Sequence, residues 1–179
     1  MTDSFQLAMS HTLGWEKGKS NHPNDPGGLT FRGITQATLD DTRRLFPEWN
    51  LPSRVTDLND AQIERIYRVR YFDACHCGEL PPAFAVAVFD AAVNTDASKV
   101  RRWLQKSLRV TPDGWLGPKT IDAAKRAGLV ELSEFHALRA YHYMLQDSID
   151  DDFGLGWSRR LIDTHNVSRE YLATEARGK

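Results

Sequence analysis

The chain has 179 residues, of which 41% are hydrophobic and 26% charged, and a formal net charge of −1. That length and apolar share fit one compact domain or two small lobes on a shared core, and they exclude a largely disordered chain. The near-zero charge argues against a nucleic-acid binder that works through bulk positive charge.

Met1 to Gln6 carries no basic region followed by an apolar run, which predicts no secretory signal. Asp3 with Gln6 reads as a capping box, and Phe5, Met9 and Leu13 form an apolar stripe that leads to Glu16. Residues 18–34 hold Gly18, Pro23, Pro26, Gly27, Gly28 and Gly33, which predicts a long loop with room for a small hairpin. A short helix is expected from Thr35 to Leu45, ending before Pro47. Asn59 can cap the next, with Ile63, Ile66, Tyr67 and Tyr71 at helical spacing.

Cys75 and Cys77 are separated by one residue, too close for an ordinary disulfide, so a reducing compartment of synthesis is expected. With His76 between them they make a poor zinc site, and no metal or organic cofactor is expected. Pro81-Pro82 opens an apolar helix to Asn94, the expected central element. Its run Ala83–Phe89 is too short to span a bilayer.

Val100, Trp103, Leu104 and Leu108 mark a helix over 98–108. A turn at Pro112-Asp113-Gly114 then precedes helices over roughly 118–127, 131–149 and 157–175, with Gly154 and Gly156 in the last break. Trp157 reads as a core anchor. The pairs Arg43-Arg44, Arg101-Arg102 and Arg159-Arg160 read as solvated helix faces that can meet an anionic polymer locally. The fold class expected is mainly α, with lobes 1–94 and 95–179 packed as one unit and a boundary near Thr95-Asp96.

Glu16 ends a helix beside Trp15, Asp25 follows nine positions later in a polar loop, and Thr30 five after that. Glycoside hydrolysis needs a carboxylic acid that donates to the leaving oxygen and a second group that holds water or stabilises the oxocarbenium-like transition state. Glu16, desolvated by its neighbours, suits the first task; Asp25 and the Thr30 hydroxyl suit the second. The same three residues also fit plain local roles, as a helix-end charge, a turn former before Pro26 and a hydrogen-bonding hydroxyl. Asp90 and Asn94 share a helix face, either as a buried polar pair or as groups that reach a cleft.

The motifs extend further. Glu16-Lys17-Gly18-Lys19, Asp25-Pro26-Gly27-Gly28-Leu29-Thr30 and Gly33-Ile34-Thr35 resemble the signatures of the glycoside hydrolase family 108 muramidases, lysozyme-like enzymes of bacteriophages and bacterial secretion loci. Ile66-Tyr67-Arg68, Tyr71-Phe72-Asp73, Phe89-Asp90-Ala91-Ala92-Val93-Asn94 and Leu104-Gln105 continue the resemblance in family order. Asp113-Gly114-Trp115-Leu116-Gly117-Pro118-Lys119-Thr120 looks like the turn of the peptidoglycan-binding region that follows, and Phe153-Gly154-Leu155-Gly156-Trp157 with Arg159 like the C-terminal signature. Lys17 and Lys19 depart from the glycine and tyrosine of the first motif. The second change removes an aromatic sugar platform for which Trp15 can substitute.

The resemblance implies a lysozyme-like helical fold that cleaves the β-1,4 bond between N-acetylmuramic acid and N-acetylglucosamine. Glu16 would be the general acid, with Asp25 and Thr30 completing the site. Trp15, Asp90, Asn94, Asp113 and Thr120 would contact substrate. The expected partner is the peptidoglycan glycan strand, met by a monomer without nucleic acid or membrane insertion. A phage endolysin made in the host cytoplasm and released to the periplasmic wall by a holin fits best, with a secretion-associated muramidase close behind. A lytic transglycosylase and a non-catalytic wall-binding module are the rival readings.

Overall fold

The computed structural model describes residues 3–16, 19–20, 29–146 and 151–177, without the side chains of 19, 20, 151–153, 175 and 176. Among them, eight α-helices build a core centred on one buried segment, α4 (Pro82–Asn94). Every residue from Ala83 to Ala92 is buried. An apolar run of this length cannot present a polar face, so it is covered on all sides. Its neighbours are α1 (Ser4–Trp15), α5 (Ala97–Ser107), α7 (Leu129–Met144) and α8 (Asp151–Arg177). The core is continuous from Phe5 to Phe135 and crosses the boundary expected near residue 95.

Local chemistry sets most helix starts. Asn59 and Gln62 form a reciprocal capping box on α3 (Asp60–Tyr67), at 2.9 and 3.1 Å. Asp96 Oδ1 accepts from the Ser98 and Lys99 amides to open α5. Pro118 occupies the first turn of α6 (Pro118–Arg126), where its missing N–H is no loss. Asp3 caps α1 through the Phe5 amide, but the box expected with Gln6 does not form. Gln6 donates instead to Glu64 Oε1 on α3 at 2.8 Å, a tertiary contact that the local pattern does not reveal.

Three two-residue strands, β1 (Lys19–Ser20), β2 (Thr30–Phe31) and β3 (Ile34–Thr35), make an antiparallel sheet in that order. Arg32 and Gly33 join β2 to β3, with φ of 47° and 74°. Two successive positive φ values form the hairpin turn that follows the natural strand twist. Thr35 then caps α2 (Gln36–Leu45) by accepting from the Thr38 amide.

Two expectations change. Gly154 and Gly156 lie inside α8, which begins at Asp151. A glycine within a helix costs about 1 kcal/mol relative to alanine, an amount that packing against α4 and α7 outweighs. Tyr71 lies in a π-helical turn, Arg68–Phe72, rather than in a continuation of α3. None of the described helices is long and apolar enough to cross a membrane.

Candidate active site

Glu16 sits where α1 ends. Its amide donates to Thr12 O and its backbone then leaves the helix. A carboxylate at a helix C-terminus faces the negative end of the helix dipole and needs a cation nearby. Arg160 of α8 supplies it, with Nη1 2.5 Å from Glu16 Oε1. The Glu16 side chain is 17% exposed, so it remains open to solvent on one side.

Gly33 closes another side. A Cβ built there would lie 2.6 Å from Glu16 Oε2 and would also clash with the Tyr67 hydroxyl. Only glycine permits this approach, and its φ of 74° independently favours glycine. Tyr67 Oη donates to Arg32 O at 2.8 Å, which fixes the hairpin turn to α3. Burial, then the nearby Glu16 charge, pushes the Tyr67 phenol well above its ordinary pKa, so it stays a neutral donor. Glu16 is therefore held between an arginine, a hairpin turn and a tyrosine.

Behind Arg160 lies Asp90, fully buried at the centre of α4. Arg160 forks onto it, with Nη2 2.7 Å and Nε 3.0 Å from Oδ1. Arg139 of α7, itself fully buried, brings Nη2 to 2.8 Å from Oδ2. The Thr12 and Thr164 hydroxyls donate to the same carboxylate at 3.1 Å. Burial alone would raise the Asp90 pKa, but the Arg139 and Arg160 charges override it and hold the carboxyl well below its ordinary range. Burial opposes the charge on Arg160 too, and Asp90 followed by Glu16 overrides it upward.

The chain Glu16–Arg160–Asp90–Arg139 thus balances two carboxylates with two guanidiniums. Arg160 keeps a partner in Asp90 even when Glu16 carries a proton, so protonating the acid leaves no buried cation alone. The planar guanidinium fork spans both carboxylates, which a lysine ammonium does not.

The expected site residues separate into groups. Thr30 is half-buried in β2, paired with Ser20 and Thr35 in the sheet whose turn backs Glu16. Asp25 and Lys17 lie outside the described residues. Trp15 is 37% exposed and donates from Nε1 to Asp163 Oδ2 at 2.9 Å, clamping α1 to α8. Among the described residues, Arg160, Gly33 and Tyr67 lie against Glu16, so a guanidinium and a phenol stand beside the carboxyl expected to be desolvated by its neighbours.

Asp90 takes the buried alternative: with no exposed surface it holds Arg160 rather than touching substrate. Asn94 is exposed, donates to Asp90 O at 3.1 Å and lines a small pocket. Asp113 Oδ1 accepts from Gln105 Nε2 at 2.6 Å and from the Trp115 amide at 2.8 Å, tying the turn to α5. With Thr120, only 3% exposed, Asp113 lines a separate cavity of about 490 Å³ beside the exposed Trp115.

Arg160 and Arg139 were missed by the sequence reading. The expectation that Arg159-Arg160 is a solvated face fails for Arg160, which is 7% exposed. Arg101 likewise donates inward to Gly114 O and Ala74 O, both at 2.8 Å. The available signal was the polar stripe Arg160, Thr164, Ser168 at helical spacing, all buried, on the face of α8 where an amphipathic helix places apolar residues.

Residues 9–95 match the family Glycosyl hydrolase 108, a segment that contains Glu16, Gly33, Tyr67 and Asp90. No curated protein sequence matches the chain. Among solved structures, the chain is similar to Brucella abortus SagA, with a TM-score of 0.82 and 27% identity over 96% of this chain and 97% of that one. The fold is accordingly mainly α and lysozyme-like, and the match of its first half to a glycosyl hydrolase family supports a glycosidase.

Proposed function

We propose that the protein is a peptidoglycan hydrolase that cleaves the β-1,4 bond between N-acetylmuramic acid and N-acetylglucosamine, with Glu16 as the general acid. The observation that carries this reading is the placement of Glu16. A partly exposed carboxylate ends a helix within the matched family segment and is held there by Arg160 and Gly33. Glu16 would give its proton to the glycosidic oxygen as the bond to the anomeric carbon breaks. Asp25 would stabilise the positive charge that develops on the sugar or hold the incoming water, and Thr30 would orient that water. The chemistry needs only carboxyl groups, so no metal or organic cofactor enters it.

Asp113 fixes the turn that presents Trp115, and the cavity beside it, which Thr120 also lines, offers the second half of the chain a contact with wall polymer. On this reading the protein acts as a monomer on periplasmic peptidoglycan. A phage endolysin that reaches the wall through a holin-opened membrane is the role we favour over a secretion-associated one.

Mass spectrometry of muropeptides released from purified sacculi tests the reaction. Hydrolysis leaves reducing N-acetylmuramic acid ends. Anhydro ends would replace it with transglycosylation, and an undigested wall would reject both.

A further inference from the structure

The ends of four helices meet on one side of the molecule. The C-terminus of α1 brings Glu16, that of α4 brings Asn94 and that of α7 brings Tyr143, while the first turns of α8 bring Trp157 and Arg160. Trp157 lies about one helical turn before Arg160, and Asn94 about one turn after Asp90, displacements of about 4.5–6 Å along their helices. Beyond the Glu16–Arg160 pair, α4, α7 and α8 therefore enclose a pocket of about 120 Å³ lined by Asn94, Thr95, His142, Tyr143, Gln146 and Trp157.

Resting on the glycan-cleaving reading of Glu16, we propose that this pocket is a subsite for an N-acetylated hexosamine of the same strand. The rings of Tyr143 and Trp157, half-buried and 5.1 Å apart at 37°, would pack against the sugar face, and the pocket would take the acetamido arm.

The chemistry fits a neutral, amide-bearing sugar. Aromatic rings bury the C–H side of a pyranose while polar neighbours bond its substituents. Asn94 and Gln146 each carry an amide that donates and accepts, which matches an acetamido group. Burial and the nearby Lys99 charge lower the His142 pKa, which leaves a neutral imidazole with one donor and one acceptor. Thr95 Oγ1 is buried and has no hydrogen-bond partner among the described residues, a polar atom next to the pocket still to be satisfied.

The subsite is also wired to the acid. Tyr143 Oη accepts from Arg139 Nε at 2.7 Å, and Arg139 pairs with Asp90, which holds Arg160 on Glu16. The same two rings border a second hollow of about 440 Å³ between α7 and α8, where Met144, Leu161 and Ile162 offer apolar surface. An acetylated strand leaving the small pocket would meet apolar walls there.

The test is cosedimentation with purified Gram-negative sacculi in a Glu16→Gln background, so that binding is measured without cleavage. Trp157→Ala is expected to weaken binding by about tenfold and Trp157→Phe by far less, as for loss and retention of a stacking ring. Gln146→Ala, at the pocket rim, is expected to weaken it as well, with circular dichroism confirming that each variant is folded. Enzymatic removal of N-acetyl groups from the sacculi should weaken the Glu16→Gln protein and add little to the Trp157→Ala defect. Unchanged affinity in folded Trp157→Ala and Gln146→Ala proteins would overturn the subsite even if Glu16 proves catalytic. A Trp157-dependent, acetyl-dependent affinity in a protein whose Glu16→Gln form still digests walls would keep the subsite and remove the assignment of the acid.

Discussion

Replacing Asp90 with asparagine tests the buried network most sharply. The substitution keeps the shape of the side chain and removes the single negative charge that lies between two guanidiniums. Arg139 is then left fully buried without a charged partner, and Arg160 keeps only Glu16. Removing one member of a buried ion pair costs about 3–5 kcal/mol, because the surviving charge stays desolvated. For a domain of this size each kcal/mol lowers the melting temperature by about 2–4 °C, so Asp90→Asn should melt about 6–20 °C below wild type.

Asp60→Asn, at an exposed pair with Arg32, is the control and should cost less than about 1 kcal/mol. The effect has a pH signature. The folded-state pKa of Asp90 lies below the unfolded value of about 3.9, so its contribution is fully present above that value and is lost as pH falls below it. The gap between the two melting curves should therefore be constant near neutrality and narrow in acid. Differential scanning calorimetry from pH 7 to 3 measures both features. An Asp90→Asn protein melting within about 2 °C of wild type at pH 7 would refute the reasoning, since it would show that the two arginines need no buried counter-charge.

Other expectations follow from the same geometry. Arg160→Lys keeps a cation but loses the fork that spans Glu16 and Asp90. Turbidity assays should show lysis reduced by about 10–100-fold, the effect of a misplaced catalytic group, with a far smaller loss of melting temperature. Gly33→Ala introduces strain of about 1–3 kcal/mol at positive φ and pushes on the Glu16 carboxylate, so it should lower both stability and lysis. Gly156→Ala, in open space on α8, should leave lysis intact and stabilise the fold by about 0.4–1 kcal/mol in urea melts. Burial, aided by the Arg139 charge, lowers the pKa of His136 to about 3, and neither ring nitrogen has a hydrogen-bond partner among the described residues. Its contribution is present above an unfolded pKa of about 6.5 and is lost as pH falls from there toward 3. Urea melts of His136→Leu across that interval should show a shallower decline than wild type.

Sequence patterns located the helices wherever a local rule was decisive. Asn59 with Gln62, Asp96 before α5 and Pro118 in α6 each act within a few residues, and the uniformly apolar Ala83–Phe89 run could only be central. The candidate acid was legible for the same reason: Glu16 is an isolated carboxylate at the end of an apolar stripe, followed by a glycine- and proline-rich stretch. What holds Glu16 was not legible. Arg160 is 144 residues away in sequence and Asp90 is 70 from Arg160, and the one local hint, the stripe Arg160, Thr164, Ser168, names no partner for the arginine that turns inward. The start of α8 was misplaced because the glycines at 154 and 156 weaken a helix locally, while its stability comes from packing on α4 and α7.

On the proposed function, the Glu16 carboxyl, held against Arg160 and Gly33, delivers the proton that breaks the glycan strand. Turbidity clearing of outer-membrane-stripped Gram-negative cells, with wild type beside Glu16→Gln at matched melting temperature, tests it most directly. The wild type should clear the cells, and the variant should show nothing above background. Undiminished clearing by a folded Glu16→Gln protein would contradict it.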